Sequence, residues 1–490
     1  MTVPMHSVGL RHDESRWTAP ARVDLVIVLL AAISGSLLVL PPWPLNLLLL
    51  TAPVTFVITL VSPPIALGLC VASIPIQAMG EHHLGPLTLR YTSTMILALF
   101  IAWSIGKLAG RRGVRGSWLI PPFACYVVIL FLSGIQADSV RDWLSELYRW
   151  SVALLALVVA VDTLRDARSA RPVIFGVAVG MVGASLFGIY QVVTGLGPRA
   201  FNVGGLIRAY STFGQPNPFA GYLELSLPLL LAVAGSWLGH DDLHPRRGGI
   251  TRGLGLVSVV ALPFGLVALV LTQSRGGWVG ASVGLVVVVW LTGGWLRWAA
   301  TVVVAMLVMV VLVTPVGSRV TDRIAGGEIS FRDDVQVTTT NFAARERLAH
   351  WRAGIAMTRS HPILGVGAGN FSRNFRDDTP TWRFRVSRGH AHNAYIQAAA
   401  QTGFLGLTSY LALLAVVVGR LSLALRLARD SEHRALVVGA IGVTAAFCIH
   451  NLFDYLHVLS FGIQLSVVWA FAEVMDVGSE ISGHKATVAP

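Results

Sequence analysis

His390, His392 and Asn393 stand directly ahead of an apolar run that carries no charge until Arg420. Imidazole is the side chain best suited to moving a proton near neutral pH, and polar groups clustered at a membrane edge are costly unless they are used. The pattern predicts acid–base or orienting chemistry by His392, with His390 beside it. Alternating histidines can also ligate a metal, with His361, His450, His457 or Asp454 as a third ligand. No ligand spacing defines such a site, so neither a metal nor a cofactor is expected. Asp454, in Asn451-Leu-Phe-Asp-Tyr455, is placed to pair with an arginine or to orient the histidine.

A second chemistry is anion binding. Guanidinium is the preferred bidentate partner of phosphate, and the chain has only two lysines, Lys107 and Lys485, among its 37 basic residues. Arg208 precedes Ser211-Thr-Phe-Gly-Gln-Pro-Asn-Pro-Phe-Ala220, where Pro216 and Pro218 flank Asn217 and fix an extended turn at a helix entrance. Arg275 lies in Thr272-Gln-Ser-Arg-Gly-Gly277, and the glycines beside it allow close approach of backbone or ligand. The alternative for Arg275 is snorkelling to lipid headgroups. Arg149 and Glu224 fall a turn or two inside apolar spans and need partners there. The glycine-rich run His361-Pro-Ile-Leu-Gly-Val-Gly-Ala-Gly-Asn-Phe371 has neither the preceding strand nor the spacing of a dinucleotide site. It is expected to form a tight loop that positions Asn370 and nearby arginines.

The elements that must hold these residues are membrane helices. The chain is 54% hydrophobic and 13% charged, with a mean hydropathy of +0.67, against about 25% charged in a soluble domain. We expect an all-α polytopic bundle occupying residues 1–490 as one membrane domain, with about fourteen candidate spans. The segments 63–80 and 277–292 are the weakest, for prolines and shortness respectively. The formal charge of +12 is not a nucleic-acid signal once it is sorted by side. With the N-terminus cytoplasmic, the basic loops around Lys107–Arg115, Arg165–Arg171, Arg246–Arg252 and Arg420–Arg434 all fall inside, and the short outer loops are nearly free of them. Both termini are then cytoplasmic. The loop 195–217, the turn at Arg275, the turn His450–His457 and a long segment 316–392 fall outside. Within that segment Leu348, Trp351 and Ile355 recur at helical spacing between arginines, predicting an amphipathic helix. Cys70, Cys125 and Cys448 lie in apolar runs and are expected to be buried free thiols.

Taken together, the motifs at 211–220, 272–277, 361–371, His392-Asn-Ala-Tyr-Ile-Gln397 with Thr402-Gly-Phe-Leu-Gly406, and Phe453-Asp454 resemble the O-antigen ligase and polymerase family. They keep the family's order over about residues 200–460, and the first six spans match only as generic helices. The resemblance implies about twelve spans. It also implies metal-independent, inverting glycosyl transfer on the outer face of the cytoplasmic (inner) membrane. The donor would be an undecaprenyl-diphosphate-linked glycan, and the acceptor a glycan, lipid or protein. Arg208, Arg275 and Arg347 would then grip the diphosphate and His392 would activate the acceptor hydroxyl, with Arg149 a further diphosphate candidate and Asn217, Asn393 and Asp454 in support. A transporter or flippase of lipid-linked sugars is the alternative from another class. It predicts repeat symmetry and a midplane charged site, whereas the polar motifs here gather on one face.

Overall fold

The computed structural model describes residues 43–80, 82–84, 87–238, 249–293, 342–375 and 389–475, with single positions 297, 384 and 387 between them. The expected spans 23–40 and 298–315, the first part of the 316–392 segment and the C-terminal tail lie outside the described residues.

What is described is almost wholly helical: α1 (Trp43–Val61), α2 (Pro63–Ala72), α3 (Tyr91–Ala109), α4 (Ile120–Leu132), α5 (Val140–Thr163), α6 (Ala167–Thr194), α7 (Pro216–Glu224) and α8 (Leu227–Leu238) are followed by α9 (Gly249–Leu271), α10 (Arg275–Thr292), α11 (Phe342–Ser360), α12 (Ala394–Leu427), α13 (Ser431–His450) and α14 (Phe461–Trp469). Two antiparallel hairpins, His82–Leu84 with Leu87–Leu89 and Asn202–Val203 with Leu206–Ile207, are the described strands. Eight helices among the described residues are long and apolar enough to cross a membrane, and four shorter apolar ones accompany them. The short candidate 277–292 is a complete helix, α10. The candidate 63–80 is not one α-helical span: α2 covers 10 residues, about 15 Å of rise, before the chain passes into a 3-10 segment at Ile74–Gly80.

Large apolar side chains such as Ile101, Phe131, Phe175, Leu186, Val267 and Val418 project outward, as a bundle in hydrocarbon requires. Cys125 belongs to this outer surface, so the expectation of three buried thiols is corrected there. Cys70 is buried and Cys448 half-buried, and all three are free. The helices pack closely where glycine permits. Gly284 of α10 and Gly442 of α13 face each other: a Cβ on Gly284 would lie 2.7 Å from the Gly442 carbonyl oxygen, and one on Gly442 2.9 Å from that of Gly284. The expected span 218–238 is two helices, α7 and α8, broken at Leu225–Ser226 ahead of Pro228. Proline cannot donate into the previous turn, and at this break the amide of Gln464 donates to the Leu225 carbonyl (3.3 Å) and the Ser226 hydroxyl (3.1 Å).

The bundle has two polar ends. At one, Lys107 and Arg115 meet Asp162, Arg420 and Arg115 meet Glu473, and Arg171 pairs with Glu432. The other end gathers the loops after α4, α6, α9 and α13 and carries every motif singled out above. We expect Gly284→Val to lower the midpoint of thermal unfolding in detergent by several degrees, corresponding to about 1–3 kcal/mol of overpacking. Gly106→Ala, whose Cβ would meet nothing within 4 Å, should not lower it. Differential scanning fluorimetry of the two purified variants checks this.

Candidate active site

The chain enters α12 through a turn that its own polar side chains build. Asn393 caps the helix, its side-chain oxygen accepting from the backbone of Tyr395 (2.9 Å) and Ile396 (3.0 Å), while its amide donates to the Leu452 carbonyl (3.0 Å). The backbone of Ala394 donates to the Asn451 carbonyl at 2.9 Å, and Gln397 accepts from the Ala391 backbone at 2.7 Å. Held from both sides, His392 adopts φ +52°, a left-handed conformation that a non-glycine residue takes only when its surroundings over-determine it. Ser211, Gln273 and Leu459 share this conformation at the same end of the bundle.

The glycine-rich run forms the tight loop expected of it. Gly365, Gly367 and Gly369 all have positive φ, and the loop lies against a break in α12 at Gly403, itself at φ +66°. Phe404 donates its backbone N–H to the Pro362 carbonyl (2.7 Å), and Val366 donates to Ala400 (2.9 Å). Buried Asn370 pins the other side of the loop to the start of α5, accepting from the Ser139 backbone at 2.7 Å and donating to the Ala368 carbonyl at 2.9 Å. The helix expected around Leu348, Trp351 and Ile355 is α11, but its buried face is rotated. Leu348 is buried, Trp351 half-buried and Ile355 exposed, while Ala349, His350, Ala353 and Met357 turn inward. The reason is close approach: a Cβ on Gly354 would lie 2.6 Å from the Ile396 side chain, so the face of small residues is the one that fits.

These supports converge on one carboxylate. Asp454 is buried, and one of its oxygens receives the His392 Nδ1 at 3.2 Å and the Tyr455 backbone N–H at 2.9 Å. Its other oxygen accepts from the Asn217 amide at 3.0 Å. The Asn217 oxygen in turn accepts from Arg208 at 3.1 Å, and Arg208 also donates to the Thr272 carbonyl at 2.8 Å. His392, Asp454, Asn217 and Arg208 thus form one hydrogen-bonded line drawn from the starts of α7 and α12 and the loops before α7 and α14. Burial alone would push the Asp454 carboxyl up. The hydrogen bond from His392 and the adjacent imidazoles outweigh it and hold the carboxyl well below the usual carboxylate range. An ionised carboxylate can only accept, so His392 donates to it from Nδ1, and the neutral tautomer of that ring has its lone pair on Nε2. That is the tautomer a general base requires.

His390 packs against both His392 (ring centroids 4.4 Å apart) and Tyr455 (5.6 Å). Its Nδ1 accepts from the His392 backbone at 3.2 Å and lies 3.9 Å from Asp454. Burial, reinforced by His392, His350 and Arg149 and opposed by Asp454, pushes its imidazole down to about 4. His390, His392 and Asp454 bring their ligand atoms within 4.8 Å of one another, so the donor set for a cation exists. The 3.2 Å contact is accounted for by a hydrogen bond that orients His392, and we read the trio as an acid–base group.

Arg275 and Arg347 accompany Arg208. Burial and then the charges of Arg275 and Arg347 lower the affinity of the Arg208 guanidinium for its proton. Like charges brought together with no carboxylate on Arg208 are the arrangement of an anion site. Arg149 is not part of that group. It donates to the His457 carbonyl at 2.7 Å and pairs with Glu146, which also accepts from Trp150 and Tyr455 at 2.9 Å each.

Sequence reasoning missed Glu146, Tyr455 and His350, whose ring lies 5.3 Å from that of His392. The signal for Glu146 was present, since it stands three residues before Arg149 on one helix face. His350 was hidden inside a helix read only for its apolar stripe. Glu224, which needed a partner, has one in His450 at 2.9 Å.

Half-buried His390 and buried His457 set a pH limit on stability. His390 is lowered to about 4, and His457, by burial and then Arg149, to about 3. The unfolded chain therefore takes up their protons first, near pH 6.5. Their contribution is complete above that value and is lost as pH falls from about 6.5 to 4, whereas the depressed Asp454 keeps its contribution through this window. We expect the unfolding midpoint in detergent to drop over that range, and His457→Gln to flatten the drop.

Comparison with known proteins supplies an independent line. Residues 259–411 match the family model described as O-antigen ligase. The matched stretch runs from α9 to α12 and includes Arg275, Arg347, His390 and His392, while Arg208 and Asp454 lie on either side of it. An exopolysaccharide production protein, ExoQ, of Rhizobium meliloti (strain 1021) is 25% identical over 393 residues, covering 76% of this chain and 82% of that protein. The chain is thus a polytopic helical membrane protein that is similar, over residues 259–411, to the O-antigen ligase family.

Proposed function

We propose that the protein transfers a glycan from undecaprenyl diphosphate to a hydroxyl of an acceptor, with inversion, without a metal, on the outer face of the cytoplasmic membrane. The observation that carries this reading is the line from His392 through Asp454 and Asn217 to Arg208, which ends on a group of guanidiniums. The acceptor oxygen attacks the anomeric carbon and gives its proton to Nε2 of His392. The bond from that carbon to the diphosphate breaks, and the leaving oxygen takes the electron pair. Negative charge developing on the diphosphate is met by the guanidiniums of Arg208, Arg275 and Arg347. A base at one end of the line and a leaving-group clamp at the other suit displacement from the face opposite the diphosphate. Asp454 and Asn217 act through the others, one orienting the base and one holding Arg208. Asn393 fixes the turn on which His392 sits.

The bundle end opposite the site carries Lys107, Arg115, Arg165, Arg171, Arg420 and Arg434. Basic residues concentrate on cytoplasmic faces, which favours placing the site outside. The polar motifs lie at one end of the bundle rather than at its middle, which favours a transferase over a transporter.

We expect His392→Ala and Arg275→Ala to lower turnover by about 100-fold or more, and Asp454→Asn by roughly 10- to 100-fold, in protein that still folds. Wild-type activity should survive chelators. Turnover by purified His392→Ala at the wild-type rate, or loss on chelation restored by one divalent ion, would reject this mechanism. The product separates the two activities of the family. One glycan block moved to a new acceptor means ligase, and a ladder lengthening on the lipid means polymerase.

A further inference from the structure

A second polar site is connected to His390 through Tyr455 and Glu146. A cavity of about 150 Å³ opens between the start of α3, the first half of α5 and the loop that enters α14. Arg90, Ser93, Ser145, Tyr148, Arg149 and Ser460 supply its polar lining, and no carboxylate is among the lining residues described. Arg149 is held rigidly, by the His457 carbonyl and by Glu146. The Tyr148 hydroxyl is buried at the cavity wall with Ser93 as its polar neighbour. Leu459, also in the wall, has φ +54°, a strained backbone of the kind that shapes sites. The cavity is linked to the histidines: Tyr455 packs near His390 and donates to Glu146, the partner of Arg149, and the Arg149 charge acts on His390.

A transferase needs two substrate sites, one on each side of its base. Arg208, Arg275 and Arg347 form a cationic group at the Asp454–Asn217 end of the line, and Arg90 with Arg149 form another, connected to His390 through Tyr455 and Glu146. We propose that the Arg90–Arg149 cavity is the acceptor subsite and takes an acidic sugar, one bearing a carboxylate or phosphate. The volume suits one charged group or a small part of one sugar ring rather than a length of polymer. Two guanidiniums and hydroxyls from Ser93, Ser145, Tyr148 and Ser460, with no acid among them, are complementary to an anion set among hydroxyls. This proposal rests on the transferase reading and adds to it the class of acceptor.

The test compares an oligosaccharide ending in glucuronic acid with its carboxyl-reduced twin, on full-length protein in nanodiscs. Binding is measured without donor, and transfer is measured with a polyprenyl-diphosphate oligosaccharide. We expect the acidic probe to bind at least about tenfold tighter than its twin. Arg90→Gln should remove that preference, Tyr148→Phe should weaken it and Arg90→Lys should retain part of it, while the KM for donor stays unchanged. Equal binding of the two probes by the wild type, or a preference that survives Arg90→Gln, overturns the proposal. Binding of phosphatidylglycerol in place of the glucuronide also overturns it and makes the cavity a lipid site. A preference that depends on Arg90 without turnover from any donor keeps the acidic-saccharide site and rejects the transferase reading instead.

Discussion

The site depends on a buried carboxylate that must remain charged. Asp454 has lost its water and is stable as an anion only because His392, Asn217 and the Tyr455 backbone all donate to it. Those donors come from three separate parts of the chain, at residues 217, 392 and 455, so the carboxylate is the point where the parts of the bundle are fastened together. One charge does two things at once. It fixes the tautomer of His392, and through the Asn217 amide it fixes the aim of Arg208. Losing any one donor would leave a buried anion under-satisfied, a cost larger than that of the missing bond.

Keeping such a network in register demands stiff surroundings, and the helices supply them by close approach. Gly284 and Gly442 bring α10 and α13 together, which places Arg275 and the Asp454 turn at adjoining helix ends. The break in α12 at Gly403 receives the glycine-rich loop, and that loop carries Asn370 to the start of α5. The left-handed backbone at His392 is tolerated because residues on both sides of it are anchored. Local strain here is a consequence of rigidity elsewhere.

The arginines divide into groups by their partners. Arg208 is held through Nε and Nη2 by carbonyls and an amide, which fix its aim and leave its charge uncancelled. Arg149 is held by a carboxylate that is itself fixed by Trp150 and Tyr455, so it is a positioned cation with much of its charge answered. Chemical type alone makes the two residues equivalent. Their hydrogen bonds suit one to a strongly charged leaving group and the other to a weaker anion.

The membrane character, the helical class and the polar motifs were legible in the sequence because they rest on local facts: long apolar runs, prolines flanking Asn217, and histidines at the mouth of a span. Even α10, short as it is, could be read from its apolar run. Tertiary structure decided what depends on contact across the chain. It shortened the 63–80 candidate to a ten-residue helix, rotated α11 so that Ile355 faces out, and placed Cys125 on the outer surface. It chose between the two roles open to Asp454, giving it to His392 and, through Asn217, to Arg208 as well. It also moved Arg149 away from the other arginines and beside a cavity that no motif marks. Sequence periodicity reports which residues share a helix face. It does not report which face meets which neighbour, and in a membrane bundle that is set by the fit of small residues and by the need to satisfy each buried charge.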